Sequence, residues 1–234
     1  MKKQIPNLIT SLNLFTGSIG VVFALRGFLE IASLLILLCA VFDFLDGFTS
    51  RLLNAKSPYG VDLDSLADII SFGLLPATIL FAFMENSVQN IEPSLRDGLL
   101  RFSPYIAFII PVFSAYRLAI FNHDETQRFD FKGLPTPANA LFIGFLHFAA
   151  LDITALNNIG VLIGLTILFS FLLVTRLPMF SLKFYHWGIE GNITRYSFLF
   201  LSLILLLIFR LGAFPIIILS YLLISVAILA FKKR

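Results

Sequence analysis

The stretch Asp43–Asp68, "DFLDGFTSRLLNAKSPYGVDLDSLAD", decides how the rest of the chain is read. It holds five of the 14 acidic residues, Asp43, Asp46, Asp62, Asp64 and Asp68, yet long runs of Leu, Ile, Val and Phe flank it on both sides. Outward from it, apolar stretches of spanning length recur toward both termini. The chain is 58% hydrophobic and 13% charged, with 27 Phe and a mean hydropathy of +0.92, outside the usage of soluble domains. The first stretch, from Leu8, carries Asn13, Thr16 and Gly17 and has no small-residue cleavage site after it, so it reads as a retained helix. The single cysteine, Cys39, excludes an intramolecular disulfide and a cysteine-based metal cage.

The pattern predicts an all-α, polytopic membrane protein with about eight transmembrane helices. They fall near 8–25, 28–49, 63–84, 99–121, 136–152, 158–175, 193–209 and 212–231. Arg26-Gly27 and Arg210-Leu211-Gly212 interrupt apolar runs and read as tight turns between antiparallel spans. Lys2, Lys3, Arg51, Lys56, Arg128, Lys132, Arg176, Lys183, Lys232, Lys233 and Arg234 collect on one side, against Arg26, Arg96 and Arg210 on the other, with Arg101 near its edge. Positive charge stays inside, so both termini and the acidic loop are expected to face the cytoplasm. The polar stretches 122–135 and 176–192 lie on that same side.

Asp43 and Asp46 lie three apart at the end of the second span, and Asp64 and Asp68 lie four apart at the start of the third. Each pair therefore shares a helix face, and Pro58 and Gly60 let the chain reverse between them. Four carboxylates pointing into one space repel and take up protons unless a cation compensates. Oxygen-only ligands favour Mg²⁺, Mn²⁺ or Ca²⁺, and no Cys or His in the segment invites zinc. Asp62 is off the shared spacing and reads as a solvated bystander. Gly47 leaves room for close approach, and Arg51 is positioned to grip a phosphate. Carboxylates decorating a helix start, or an ion pathway, are the competing readings. The second of these predicts charges spread through the middles of later spans, which are almost uncharged.

The order Asp43-x-x-Asp46-Gly47-x-x-Ser50-Arg51, eight residues, then Gly60-x-x-x-Asp64-x-x-x-Asp68 resembles the signature of the CDP-alcohol phosphotransferases. One position departs from it: Ser50 stands where that family has Ala. The resemblance implies that Asp43, Asp46, Asp64 and Asp68 hold divalent metal, Mg²⁺ or Mn²⁺ and two ions, against the diphosphate of a CDP-linked lipid. Gly47, Ser50, Arg51 and Gly60 would shape the nucleotide site, and Asp68 would be the base that takes the acceptor's proton. Ile5–Gly17, Asp64–Ala77, Ser114–Asn122 and Phe131–Ala140 are further similar to the family's membrane-embedded phosphatidylserine-forming branch. Members of that branch add two helices to the usual six. The implied layout is one integral membrane domain over 1–234, with a catalytic core over 1–175 and two additional helices over 176–234.

On this resemblance the expected reaction moves the phosphatidyl group of CDP-diacylglycerol to the hydroxyl of L-serine and releases CMP. It would take place at the cytoplasmic face of a bacterial-type inner or plasma membrane. The partners expected are those two substrates and membrane lipid, with no nucleic acid, and a homodimer follows from the resemblance alone. A serine carboxylate needs a cation, for which Arg117 in an apolar stretch is the first candidate, with Asn122, Arg128 and Lys132 behind it. Arg128 and Lys132 are equally readable as ordinary inside-facing charges. Asn7, Thr10 and Asn13 either line the nucleotide site or hydrogen-bond between helices. The scattered His123, His147 and His186 suggest no site, and Lys183, Tyr185 and Trp187 read as an interfacial anchor. Two alternatives stay open. One is a sibling enzyme using glycerol 3-phosphate or an inositol phosphate, and the other is a divalent-ion transporter.

Overall fold

A computed structural model describes residues 4–55, 58–89, 91, 98–123, 131–180, 188 and 191–232. Lys56, Arg128 and the 183–187 basic-aromatic stretch lie outside the described residues. The architecture is that of an all-α membrane protein. Helix α1 (Gln4–Leu25) turns at Gly27, whose φ of +82° suits glycine, into α2 (Leu29–Leu52). Next, α3 (Pro58–Asp68) runs through a π-helical turn (Ile69–Leu74) into α4 (Leu75–Gln89). A 3₁₀ segment (Gly98–Phe108) leads into α5 (Ile109–His123). Then come α6 (Thr136–Gly144), α7 (Leu146–Ala149) and α8 (Ile159–Val174). The Asn158 side chain starts α8 by accepting from the amides of Gly160 (2.8 Å) and Val161 (3.4 Å). Last are α9 (Ile193–Phe209) and α10 (Ala213–Lys232).

Among the described residues, five helical stretches are long and apolar enough to cross a membrane: Gln4–Leu25, Leu29–Leu52, Tyr59–Gln89, Leu100–His123 and Ile193–Ala230. The last is two helices. Its backbone breaks at Arg210 (φ 50°), and the Phe198 and Tyr221 rings meet at 5.9 Å across the resulting hairpin. The span expected over 136–152 is not one helix. It breaks at Phe145, where the Gly144 carbonyl instead accepts the Ser33 hydroxyl of α2 at 2.6 Å. Helix α8 is a shorter apolar helix of 16 residues.

Where lipid replaces water, apolar burial no longer favours one helix neighbour over another, and close backbone approach does much of the work. Gly17 of α1 lies against the π-helical turn so tightly that a Cβ there would be 2.5 Å from Ser71 Oγ and 3.0 Å from Ser71 Cα. Gly73 meets α5 in the same way, with Pro111 Cα and Ser114 Cβ 3.3 Å from its Cβ position. Larger side chains fill the space behind, where Phe142 stacks on Phe169 at 3.5 Å. Gly17→Val is therefore expected to push α1 from the turn and cost roughly 1–3 kcal/mol, the usual range for overpacking. Gly164→Val, with no atom within 4 Å of its Cβ position, serves as the control. Equal thermal midpoints for the two purified variants would refute this packing account.

The described residues include one β element. Strands β1 (Phe131–Lys132) and β2 (Pro178–Met179) pair antiparallel, with Phe131 opposite Met179 and Lys132 opposite Pro178. This two-residue ribbon ties the segment before α6 to the segment after α8.

Candidate active site

Helices α2 and α3 bring Asp43, Asp64 and Asp68 together, with one carboxylate oxygen from each lying within 4.8 Å of the others. The arrangement follows from the three- and four-residue spacings once the two helices lie against α1. Asp68 is 8% exposed, and Oδ1 of Asp64 and Oδ1 of Asp68 are buried without a hydrogen-bond partner. Like charges about 4 Å apart repel by roughly 4 kcal/mol per pair at an effective dielectric near 20. An all-oxygen cluster with unused buried oxygens fits a hard divalent cation, which would offset that repulsion.

Asp46, the fourth carboxylate of the motif, is held differently. It is 6% exposed and accepts a 2.6 Å hydrogen bond from the Thr10 hydroxyl, fixing it between α1 and α2. Asp62 is exposed, as its spacing implies.

Asp46 and Asp64 also line a cleft of about 260 Å³. Gly47, Ser50, Arg51 and Gly60, the four positions expected to bind nucleotide, all line it, together with Asn7 and Thr10. At Gly47 a Cβ would meet only Arg51 Nη1, at 3.6 Å, so the glycine borders open space. Arg51 is exposed at the rim. Asn7 donates to the Tyr59 hydroxyl at 2.8 Å, closing α1 onto α3 beside the cleft. Asn13 is fully buried and is not among the lining residues. Its backbone carbonyl accepts from Ser71 (3.2 Å) and Cys39 (3.6 Å), while its side-chain Oδ1 and Nδ2 are buried without a hydrogen-bond partner. Pro6, Ala55 and Val61 also line the cleft. As small or apolar residues they give no chemical signal in the sequence.

Arg117 approaches the cluster from α5. Only 7% exposed, it has its guanidinium 5.3 Å from the centre of the Phe121 ring and close enough to Asp68 for mutual attraction. Its Nε donates to the Leu134 carbonyl at 2.9 Å. One turn earlier, Ser114 is fully buried with an unpartnered hydroxyl. On α6, Thr136 and Asn139 are likewise buried with unpartnered side-chain atoms. Sequence reasoning did not single these three out, although Ser114 sits at i−3 from Arg117 and Thr136 and Asn139 share an i, i+3 face. Asn122 donates to the Ser65 hydroxyl at 2.8 Å and so bridges α5 to α3. Lys132 is half-buried on β1. Neither His123, which bonds the Ala119 carbonyl, nor His147, packed by Phe83 and Phe148, joins the carboxylate cluster.

Fold and site together give a helical membrane protein with a carboxylate cluster at Asp43, Asp64 and Asp68, a cleft lined by Asp46 and Asp64, and a buried arginine, Arg117. The chain belongs to the CDP-alcohol phosphatidyltransferase family, whose model matches residues 3–175. Among its relatives is the CDP-diacylglycerol–serine O-phosphatidyltransferase of Helicobacter pylori strain J99. It is 27% identical over 203 residues, which is 85% of this chain and 80% of the relative. The like-named protein of strain 26695 is 30% identical over 140 residues, where the match spans about half, 54%, of the relative's length and 59% of this chain. That of Methanocaldococcus jannaschii is 33% identical over 163 residues, 69% of each chain.

Proposed function

We propose that this protein transfers the phosphatidyl group of CDP-diacylglycerol to L-serine, giving phosphatidylserine and CMP. The observation that carries the reading is the Asp43, Asp64 and Asp68 cluster, whose Asp64 also lines the cleft with Gly47, Ser50, Arg51 and Gly60. The names of the relatives support serine as the acceptor.

Asp43, Asp46, Asp64 and Asp68 would hold two ions, Mg²⁺ or Mn²⁺, which supply charge neutralisation for the diphosphate when bound. Gly47, Ser50, Arg51 and Gly60 receive the cytidine nucleotide, with Arg51 pairing a phosphate oxygen at the rim. Arg117 pairs the serine carboxylate, with Asn122 and Lys132 as outer contacts. Asp68 accepts the proton of the serine hydroxyl as the new O–P bond forms and the bond to CMP breaks. Acyl chains remain in lipid throughout, which explains a site built at helix ends.

The same proposal has eight spans and both termini in the cytoplasm of a bacterial-type inner or plasma membrane, with the site facing inward. Segments 1–175 form the catalytic core and 176–234 an added helix pair, and the protein works as a homodimer. The basic-residue asymmetry and the short apolar helix Ile159–Val174 support the topology.

The test offers purified protein CDP-diacylglycerol and divalent metal with labelled serine, glycerol 3-phosphate or an inositol phosphate in turn. Serine incorporation with stoichiometric CMP is the expected result. Consumption of another acceptor with serine left untouched would overturn the assignment, and ion flux without CMP release would point to a transporter.

A further inference from the structure

Helices α9 and α10 lie beyond the 3–175 segment matched by the family model. Helix α9 buries Phe198 alone, so most of its surface is turned outward. Helix α10 is different, because Ile217, Ile218, Tyr221 and Ser225 are all buried. Two of these are polar, and both are used on a single residue. The Tyr221 hydroxyl donates to the Phe180 carbonyl at 3.0 Å, and the Phe180 amide donates to Ser225 Oγ at 3.4 Å. The Phe180 ring is held as well, 4.8 Å from Tyr221 and 5.6 Å from Phe198. Backbone and side chain of Phe180 are thus fixed by the terminal hairpin.

Phe180 directly follows β2, and β2 pairs with β1. Beyond β1, the Gly133 amide donates to the Leu177 carbonyl at 2.8 Å and the Leu134 amide to the Leu172 carbonyl at 2.9 Å. Gly133 has a φ of +75°, and a Cβ there would lie 2.7 Å from the Thr175 carbonyl oxygen, so only glycine fits the crossing. The Leu134 carbonyl then accepts from Arg117 Nε. Hydrogen bonds joined by short stretches of backbone therefore lead from α10 to Arg117. Tyr221 itself lies within electrostatic reach of Arg117.

We infer that α10 is a positioning element for the acceptor side of the active site. Tyr221 and Ser225 pin Phe180, and the β1–β2 ribbon carries that constraint to the carbonyl that orients the Arg117 guanidinium. The inference rests on Arg117 facing the acceptor, as proposed above. A planar guanidinium serves a carboxylate well only when its orientation is set, and one hydrogen bond to a mobile loop would not set it. The nucleotide cleft, built from α1, α2 and α3, has no part in this connection.

Tyr221→Phe in the full-length protein removes only the hydroxyl. The expected result is a serine KM raised about three- to tenfold, the size of one neutral hydrogen bond, with kcat and the KM for CDP-diacylglycerol within about twofold of wild type. Ser225→Ala is expected to move the same constant in the same direction, and it decides the matter if Tyr221→Phe fails to fold. A purely structural role would instead lower kcat and weaken both substrates together. That outcome, or an unchanged serine KM in a folded variant, overturns the inference. If wild type ignores serine, the serine assignment fails alone, and the acceptor that is consumed supplies the KM that judges α10.

Discussion

Asp68→Asn is expected to lower CMP release by about 10²–10⁴-fold, the usual contribution of a positioned general base, while CDP-diacylglycerol still binds. The substitution keeps size and shape in a site where Asp68 is 8% exposed, so it tests the proton acceptor without opening a cavity. Asp68 contributes to the carboxylate cluster but is not among the residues that line the cleft. Rate and binding should therefore separate. The measurements are single-turnover CMP release at saturating metal and equilibrium binding of the CDP-lipid. A near-normal rate would remove Asp68 from the base role, and an equal loss of binding would make it chiefly a ligand.

The second large effect concerns the cation. Chelation is expected to abolish transfer, with Mg²⁺ or Mn²⁺ restoring it, because three carboxylates within 4.8 Å of one another repel and a divalent cation would offset that charge. Arg117 attracts Asp68, but its Nε is already committed to the Leu134 carbonyl. Asp43→Asn removes one cluster charge, and the metal concentration for half-maximal rate should rise by at least the ~10–100-fold that losing an outer partner costs. The thermal midpoint of the wild-type protein should also climb with added metal, since a ligand that binds the folded state stabilises it by mass action. Full activity in excess chelator, together with a metal-independent midpoint, would refute the cation site.

The proposed role of α10 differs in scale from these two. It predicts a selective change in one Michaelis constant, whereas the carboxylates govern whether the reaction proceeds.

Much of the carboxylate site was legible in the sequence because its spacing is local. Three- and four-residue intervals put Asp43 with Asp46, and Asp64 with Asp68, on single helix faces whatever the helices pack against. Gly47, Ser50, Arg51 and Gly60 follow from the same short segment, and all four line one cleft. The turns at Gly27 and Arg210 were legible too, since each interrupts an apolar run with a charge beside a glycine or near one. The fifth span was not: it breaks at Phe145, where Ser33, 111 residues earlier, donates to the Gly144 carbonyl. The π-helical turn after Asp68 likewise leaves no mark in the sequence pattern. It follows from how closely Ser71 and Gly73 approach α1 and α5.

The sequence by itself determined the solvent, the helical class, the metal-ready chemistry and the residues of the acidic motif, all properties of composition or of spacing within one or two turns. Tertiary structure alone decided that Thr10 holds Asp46 from 36 residues away and that Arg117 donates to the Leu134 carbonyl 17 residues on. It also decided that Tyr221 reaches Phe180 across 41 residues. Each of these contacts depends on which face of one helix meets another. Between nearly uniform apolar helices in lipid, that choice is made by close packing of small residues and a few buried polar bonds, not by any repeat along the chain.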